Sequence, residues 1–258
     1  MKDKIVLVTG GSSGIGKAVA KDLCQKGAVV IIQARTQEKL QKAAQEIDPT
    51  GKRVHYYATN LTDQFSVIES ANQIIKEVGL PDIIVNSAGA GEWLTFKEST
   101  VSHFKDTMNS PYLATALTCK VFFDKMKARD SGQFIIVNSA GCYFSFPGAT
   151  GYLPARWAML GFAKSLQADL RETNFVVSMV ALGKVSSPYF KNNPISETRI
   201  PQMSNILIPT MSSEQAASVV VNTIYSKKEI VIKPFMMAVS VFFNRLFPSF
   251  FEYLMGVK

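Results

Sequence analysis

The sequence predicts an α/β fold, in which a doubly wound parallel sheet is covered by helices on both faces. Short apolar, β-branched runs alternate with helical patterns along the chain, and only short breaks separate them. The length points the same way, because 258 residues with 47% hydrophobic content suffice to bury one large core. Since no internal repeat or low-complexity linker divides the chain, we expect a single domain over 1–258.

Seven segments are strand candidates, because each is an apolar run bounded by polar or glycine-containing breaks. They are 4–9, 28–33, 54–59, 82–86, 134–138, 175–181 and 229–233. Apolar character without alternation is typical of strands that are buried on both faces. The pattern therefore predicts a sheet of about seven parallel strands.

Helical patterns fill the intervals between these strands. Thr36 and Asp63 are predicted to cap the helices that follow the second and third strands. The residues expected to face inward are Leu40, Ala43, Ala44 and Ile47 in the first helix, and Phe65, Ile68, Ile75 and Val78 in the second. A longer helix is predicted from about Ser102 past Met126, with a bend at Pro111, which lacks a backbone donor.

The first strand candidate runs directly into a glycine-rich turn. Residues 10–16 read Gly-Gly-Ser-Ser-Gly-Ile-Gly, so Gly10, Gly14 and Gly16 have the spacing G-x-x-x-G-x-G. Glycine permits positive φ and close approach of a phosphate, and the helix start that follows offers unpaired N–H groups. An ordinary strand-to-helix turn is the plainer alternative. Directly after a strand in an α/β chain, however, the turn favours nucleotide binding.

Composition argues against several other functions. The two histidines, His55 and His103, lie in unrelated places, which disfavours a metal site or a Ser-His-Asp hydrolase. Cys24, Cys119 and Cys142 share no metal-ligand spacing and indicate a reduced, cytoplasmic protein. The net charge of +8 comes without a dense Lys/Arg run, so we expect no nucleic-acid partner. A cofactor phosphate or an acidic lipid surface is a sufficient partner for this modest positive charge.

Several features occur together in a specific order. They are the turn at 9–16, Asn-Ser-Ala-Gly at 86–89, Asn109 in the long helix, Ser139 after the fifth strand, and Tyr152 thirteen residues later. With these features the chain resembles the short-chain dehydrogenase/reductase family over residues 4 to about 187. Within that family, residues 9–32, Ala34-Arg35 and the region 89–91 look most like 3-ketosphinganine reductases. The resemblance implies a Rossmann-type sheet with strand order 3-2-1-4-5-6-7. It also implies hydride transfer between a nicotinamide cofactor and a ketone or alcohol.

Ketone reduction requires a hydride for carbon, a proton for oxygen and stabilisation of the developing negative charge. Tyr152 is the candidate acid/base, and Ser139 can donate a hydrogen bond to the carbonyl oxygen. The resemblance adds Asn109, and it implies a lysine at position 156, where this chain has Arg156. Arginine keeps the positive charge but does not release a proton. The alternative is a nucleotide-binding sensor or scaffold with weakened catalysis, in which Arg156 is a helix-surface residue.

The end of the second strand predicts the cofactor. It lacks the carboxylate that would repel a 2′-phosphate, and Arg35 can pair with such a phosphate, aided by Ser12 or Ser13. We therefore expect NADP(H), with a loosely stacked loop arginine as the alternative. The resemblance extends the cofactor-binding set to Gly10, Ser12, Ser13, Gly14, Ile15, Gly16, Arg35, Asn60, Leu61, Asn86, Ala88, Gly89, Tyr152, Arg156, Gly183, Val185 and Ser187.

The last part of the chain holds two apolar segments. The stretch 188–211 is long for a loop and rich in apolar residues, which favours a lid over a lipophilic substrate. The tail, 234–258, has an apolar run too short to span a bilayer and interrupted by Arg245 and Pro248. It suits peripheral membrane contact, packing over the pocket, or a subunit interface in a homo-oligomer. We predict an NADPH-dependent reductase of a lipophilic ketone, with 3-keto lipids as one candidate class, or oxidation of the matching alcohol.

Overall fold

A seven-stranded parallel sheet forms the centre of the molecule. The computed structural model describes residues 1–89 and 91–256, except the side chains of 203–205 and 254. The strands are β1 (Ile5–Thr9), β2 (Val29–Ala34), β3 (Val54–Ala58), β4 (Ile83–Asn86), β5 (Gly132–Ser139), β6 (Phe175–Leu182), β7 (Val185–Ser186), β8 (Met211–Ser212) and β9 (Ile230–Lys233). The large sheet has the order β3-β2-β1-β4-β5-β6-β9, and all its pairs are parallel. The predicted fold class and strand order are confirmed.

Helices cover both faces of this sheet. They are α1 (Gly14–Gln25), α2 (Gln37–Ile47), α3 (Gln64–Glu77), α4 (Val101–Met108), α5 (Ala114–Met126), α6 (Tyr152–Asp169), α7 (Pro188–Asn192), α8 (Pro194–Thr198), α9 (Gln202–Leu207), α10 (Ser213–Ser226), α11 (Phe235–Leu246) and α12 (Pro248–Leu254). In β1, Val6 and Val8 pack with α1, α2 and α10, whereas Leu7 packs with α3, α5 and α6. All three side chains are fully buried. The uninterrupted apolar runs of the sequence reflect these two covered faces.

Helix α2 buries the face that the sequence predicts. Its buried residues are Leu40, Ala43, Ala44 and Ile47. Thr36 stands at the N-cap position with extended backbone, but its side chain makes no capping hydrogen bond. The start of this helix, next to Arg35, therefore depends on packing of its inward face rather than on a hydroxyl cap.

Helix α3 turns a different face inward from the predicted one. Its cap is confirmed, since the Asp63 carboxylate accepts hydrogen bonds from two backbone N–H groups of the first turn. Phe65 and Ile68 are 71% and 42% exposed, so their prediction as inward residues is wrong. The buried apolar residues are Val67, Ala71 and Ile74, with Ile75 and Val78 half-buried. The buried set has i, i+4, i+7 spacing, and the small Ala71 lets the helix pack closely on the core.

The long helix between β4 and β5 is interrupted where the sequence predicts a bend. Helix α4 ends at Met108, a single π-helical turn covers Asn109–Leu113, and α5 continues from Ala114. Pro111 lies in the centre of this turn and has no N–H to donate, so a regular α-helical hydrogen bond is absent there. Widened turns of this kind are frequent at functional sites, and this one contains Asn109.

A second, two-stranded sheet is not predicted by the sequence. Strands β7 and β8 pair in parallel, Val185 with Met211 and Ser186 with Ser212. These strands flank the segment 188–211, so their pairing holds its two ends together. A strand of two residues is too short to show a hydrophobic periodicity, so the sequence does not predict these strands.

The tail forms two short helices, α11 and α12, after the last strand. In α11, Met237 and Val241 are buried in the core, at 6% and 3% exposure. In α12, Phe251 packs half-buried against the same core. Within residues 1–89 and 91–256, no helix combines the length and the apolar character needed to cross a membrane.

Removal of the Phe134 side chain should destabilise the fold strongly. Phe134 is fully buried in β5, and its ring lies parallel to that of Phe175 with 6.0 Å between centroids. Because Phe134→Ala leaves a cavity, we expect the free energy of unfolding to fall by about 3–5 kcal/mol. Urea denaturation followed by circular dichroism measures the change. The control, Phe65→Ala, should alter it by less than about 0.5 kcal/mol; equal losses would contradict this assignment.

Candidate active site

One cleft at the carboxyl edge of the sheet collects nearly all the predicted site residues. Its volume is about 1070 Å³. It lies where strand order reverses, with β2 on one side of β1 and β4 on the other, the usual ligand position in such sheets. The predicted residues that line it are Gly10, Ser12, Ser13, Gly14, Ile15, Gly16, Arg35, Asn60, Leu61, Ala88, Gly89, Asn109, Ser139, Tyr152, Arg156, Gly183, Val185 and Ser187.

Asn86 lies beneath the cleft instead of lining it. Its side chain is 1% exposed, and its Nδ2 donates to Sγ of Cys119 at 3.3 Å. The next two residues are held by β1, because the N–H groups of Ser87 and Ala88 both donate to Oγ1 of Thr9 at 3.1 Å. Asn86 and Thr9 thus hold the backbone that follows β4, and neither side chain reaches the cleft.

The glycine-rich turn packs too closely for side chains. Gly10 has a φ of +69°, and a Cβ there would lie 2.9 Å from the backbone of Ala88. A Cβ on Gly16 would lie 2.4 Å from the carbonyl oxygen of Gly10. Helix α1 begins at Gly14, and its N-cap residue, Ser13, makes no side-chain capping hydrogen bond. The turn therefore presents backbone N–H groups and the positive end of a helix to the cleft.

The end of β2 is a positively charged part of the cleft. Arg35 and Lys39 are both exposed and line it, and no ion pair occupies either of them within the described residues. Asn60 uses its side-chain oxygen locally, as the acceptor for the N–H and the hydroxyl of Thr62. Sequence reasoning misses Lys39, although its position one helical turn after Arg35 is a usable signal.

Tyr152 and Ser139 face the same point of the cleft. Tyr152 is the first residue of α6 and is 6% exposed, and Ser139 ends β5. A Cβ built on Gly141 would lie 3.3 Å from Oγ of Ser139 and 3.8 Å from Cε1 of Tyr152. Oγ of Ser139 accepts a hydrogen bond from the Gly141 N–H at 3.1 Å, and its O–H group can still donate. Both side chains therefore lie close to Gly141 and line the same cleft.

Arg156 is buried over the ring of Tyr152. Its side chain is 8% exposed, and its Cζ lies 4.8 Å from the centre of that ring. The guanidinium donates to Sδ of Met159 at 3.6 Å and packs against Gly89. Its Nε is buried without a hydrogen-bond partner, and no carboxylate of residues 1–89 or 91–256 pairs with the group. The alternative that places Arg156 on the helix surface is wrong, because packing directs it toward Tyr152.

Trp93, which sequence reasoning misses, connects the segment 188–211 to Tyr152. Its ring centroid is 5.1 Å from that of Tyr152. Its backbone N–H donates to Oγ of Ser196 at 2.9 Å, and its backbone carbonyl oxygen accepts from Nη1 of Arg199 at 2.6 Å. The segment is thus fastened to the chain that follows β4, directly beside the candidate acid. No pattern marks a lone tryptophan in a loop as a site residue.

Tyr189 is a second tyrosine near the candidate acid. Its ring centroid lies 6.3 Å from that of Tyr152, and its hydroxyl donates to the carbonyl oxygen of Gly91. Burial, with a smaller contribution from Tyr152, raises the pKa of Tyr189 above its ordinary value of 10. Tyr189 therefore stays protonated and holds the segment 188–211 against the cleft.

Cys142 and Tyr143 belong to the core rather than to the site. Neither lines the cleft, and their side chains are 0% and 7% exposed. Burial raises the pKa of each to about 12.

His103 and Thr107 line the cleft, and sequence reasoning misses both. Among the described residues, no group of three or more His, Cys, Asp or Glu side chains is arranged to hold a metal ion.

Comparison with known protein families decides the assignment. The family model described as short chain dehydrogenase matches residues 4–198, which include the glycine-rich turn, Ser139 and Tyr152. The chain belongs to the short-chain dehydrogenase family. The predicted enzyme class, an NAD(P)-dependent oxidoreductase, is thereby confirmed.

Individual relatives of this short-chain dehydrogenase show the same relationship. A 3-dehydrosphinganine reductase of Danio rerio is 31% identical over 225 residues, which are 84% of this chain and 67% of that protein. An uncharacterized oxidoreductase of Mycobacterium bovis is 30% identical over 240 residues, 91% of this chain and 68% of that one. The structure of an alcohol dehydrogenase from Thermococcus sibiricus, complexed with 5-hydroxy-NADP, matches with a TM-score of 0.76. It is 22% identical, covers 90% of this chain and 96% of its own, and shows the shared fold.

Acid should loosen the segment 188–211 through Glu98. The hydrogen bond from Arg199, with further bonds from Thr95, lowers the pKa of Glu98 from 4.5 to about 2. Because folding favours the charged carboxylate, this stabilisation is complete above pH 4.5 and is lost as the pH falls toward 2. We expect amide protection in 188–200 to fall about two- to fivefold across this window, as suits an exposed ion pair. Hydrogen exchange at several pH values measures it.

The matched variant for this prediction is Glu98→Gln. This variant should show the lower amide protection in 188–200 already at neutral pH. Acid should then cause no further loss of protection through Glu98. Wild-type protection that stays constant relative to the sheet strands would contradict the role of Glu98.

Proposed function

We propose that this enzyme reduces a ketone on a lipophilic substrate with NADPH, and oxidises the matching alcohol in reverse. The observation that carries the proposal is that Tyr152 and Ser139 line one cleft beside Gly141, with the buried charge of Arg156 over the Tyr152 ring. An acid, a hydrogen-bond donor for the oxyanion and a cation beside the acid are what carbonyl reduction requires of a protein. The family supports the oxidoreductase class, and the individual roles are our assignment.

The cleft fits a dinucleotide with a 2′-phosphate. The close packing at Gly10 and Gly16 leaves room for a pyrophosphate but not for side chains. Arg35 and Lys39 supply positive charge to the 2′-phosphate, near the hydroxyl of Ser12 or Ser13. The remaining predicted contacts are Gly14, Ile15, Asn60, Leu61, Ala88, Gly89, Gly183, Val185 and Ser187. When bound, NADPH supplies the hydride.

The proton comes from the chain itself. Tyr152 donates its hydroxyl proton to the substrate oxygen, and the Ser139 O–H stabilises the negative charge on that oxygen. The guanidinium of Arg156, at 4.8 Å from the ring centre, stabilises the tyrosinate that remains. Because Arg156 lines the cleft, its Nη groups are the candidates to bind the hydroxyl groups of the nicotinamide ribose.

Reprotonation of Tyr152 requires a path other than Arg156, because a guanidinium does not give up a proton. Asn109 lies at the cleft wall in the π-helical turn. Its carbonyl oxygen accepts from the N–H of Ala114 and has a second lone pair for a water molecule. We assign that water path to Asn109. No observation favours the weakened scaffold, since the acid, the donor and the cation are all in place.

Another part of the cleft is apolar and suits a lipophilic substrate. Its apolar lining includes Trp93, Phe144, Phe146, Tyr189, Phe190, Ile200, Ile208, Met237 and Met255. The segments 188–211 and 234–256 contribute six of these residues, as expected for a lid and a tail that enclose the substrate. Each methylene buried there contributes about 0.8 kcal/mol. Together with the relative from Danio rerio, this lining supports a long-chain 3-keto lipid as substrate.

The assembly and location complete the proposal. We place the enzyme in the cytoplasm as a homo-oligomer, because soluble oligomers are mostly closed assemblies of identical subunits. Light scattering at several protein concentrations tests this. We also propose peripheral contact between the tail and a membrane surface.

Removal of the Tyr152 hydroxyl should abolish reduction. In Tyr152→Phe the ring remains but the acid is lost, so kcat for NADPH oxidation with a long-chain 3-keto lipid should fall about 10²–10⁴-fold. Ser139→Ala should lower kcat by about 10²–10³-fold through loss of the oxyanion donor. The absorbance of NADPH follows both reactions.

Two further variants make the test specific. Tyr143→Phe removes a hydroxyl outside the cleft and should leave kcat unchanged. Arg156→Lys should retain turnover, whereas the uncharged Arg156→Met should lose it. Wild-type turnover in Tyr152→Phe, or turnover only after Arg156→Lys, would refute the proposal and favour a weakened scaffold.

Loss of positive charge at the end of β2 should weaken NADPH binding selectively. Arg35→Ala and Lys39→Ala each remove a charged donor to phosphate, worth about 1.5–3 kcal/mol. We expect the Kd for NADPH to rise about ten- to hundredfold and the Kd for NADH to change little, as measured by calorimetry. Lys42→Ala is the control, since Lys42 is exposed on the same helix but does not line the cleft. Equal weakening for both nucleotides would argue against a 2′-phosphate site.

A further inference from the structure

Helices α11 and α12 carry a concentrated apolar surface. Among the described residues, 8 of the 17 exposed large hydrophobic side chains lie between 235 and 253. Six of them are here termed the apolar tail face: Phe235, Phe242, Phe243, Leu246, Phe247 and Phe250. Exposed apolar residues are normal singly, whereas a concentration of this kind marks a contact surface.

Helix α11 is apolar on opposite sides. Met237 and Val241 are buried in the core at 6% and 3% exposure. Phe242 and Leu246, which the helical repeat places on the other side, are 59% and 55% exposed. A helix that is apolar all round is normally buried all round. We therefore expect the exposed outer side of α11 to contact a partner that is not part of this chain.

The helix lengths suit the surface of a bilayer rather than its interior. Helices α11 and α12 have 12 and 7 residues, which correspond to about 18 and 10 Å against a hydrocarbon core of about 30 Å. An interfacial helix instead lies flat, with phenylalanine and leucine directed into the lipid and basic residues beside it. We propose that the apolar tail face binds the surface of an anionic lipid bilayer.

Charge distinguishes a bilayer from a second copy of this chain. Residues 227–258 contain five basic and two acidic residues, and the whole chain carries +8. Lys233, two residues before α11, and Arg245, within it, are both exposed. A two-fold contact through this face would bring the basic residues of both copies together. Near anionic lipid, in contrast, each basic side chain is attracted to the surface.

The same two helices also form part of the cleft. Met237 of α11 and Met255, directly after α12, line it, and Ile208 of the segment 188–211 packs in the same core cluster as Met237. A lipid that leaves the bilayer therefore meets the tail first. We infer that bilayer binding raises the capture of membrane-presented substrate, a step that rests on the proposed lipophilic reductase.

Vesicle binding tests the surface itself. Wild-type protein is sedimented with phosphatidylcholine vesicles, with and without phosphatidylglycerol, at low and high salt. We expect strong binding to the anionic vesicles, at least tenfold weaker binding to the neutral ones, and weakening by salt. The variant Phe242→Ser/Phe247→Ser/Phe250→Ser should bind anionic vesicles at least tenfold more weakly.

A matched variant separates this surface from exposed aromatic residues in general. Phe65 and Phe96 are 71% and 74% exposed elsewhere on the molecule, and Phe65→Ser/Phe96→Ser should bind vesicles as wild type does. Circular dichroism establishes that both variants fold. Turnover of a short, water-soluble ketone should be equal in both, whereas turnover of a vesicle-borne 3-keto lipid should fall only in the tail variant.

The outcomes distinguish the two proposals. If wild-type protein does not bind anionic vesicles, or if the tail variant binds them equally well, the proposal that the apolar tail face binds a bilayer is refuted. If wild-type protein without lipid is a dimer and the tail variant is a monomer, the apolar tail face binds a second copy of this chain. That result also refutes the bilayer proposal. If the protein binds anionic vesicles but does not oxidise NADPH with any ketone, the bilayer proposal holds and the proposed reductase activity is refuted.

Discussion

Gly10 lies directly on the backbone of Ala88, at a distance that excludes a Cβ, and this contact joins the glycine-rich turn to the segment after β4. Thr9 reinforces it by accepting two N–H groups from the segment after β4. That segment continues to Gly89, against which the guanidinium of Arg156 packs, and Arg156 in turn lies over Tyr152. A continuous set of contacts therefore runs from the phosphate-binding turn to the acid. Because its links are backbone or buried groups, the two ends keep a constant separation.

Arg156 separates two roles that a lysine would combine. Its guanidinium is held 4.8 Å from the ring centre of Tyr152, so a positive charge beside that residue is retained. Proton exchange is not, because guanidinium stays protonated under all ordinary conditions. A buried charge without a carboxylate partner is unfavourable in itself. Contacts with Sδ of Met159 and with the ring of Tyr152 offset part of that cost.

The cleft walls come from parts of the chain that are far apart in sequence. Trp93 is fastened to Ser196 and Arg199, and Met237 reaches the same cavity from the tail. Such contacts follow from the pairing of two-residue strands and from loop packing, for which a single sequence carries no period or motif. The inward face of α3 illustrates a related limit. Two apolar stripes compete there, and only the neighbouring core selects the one that contains Ala71.

The sequence by itself predicted the seven parallel strands and the glycine-rich turn from local pattern, and its family resemblance predicted the strand order and Ser139 and Tyr152 as site residues. It also indicated the positive end of β2 through Arg35, although not Lys39 beside it. Only the tertiary structure decided that Arg156 is buried over Tyr152, that Asn86 lies beneath the cleft, and that the tail is apolar on two sides. These outcomes depend on which surfaces meet after the sheet has formed. Burial is a property of that assembly and not of any one segment.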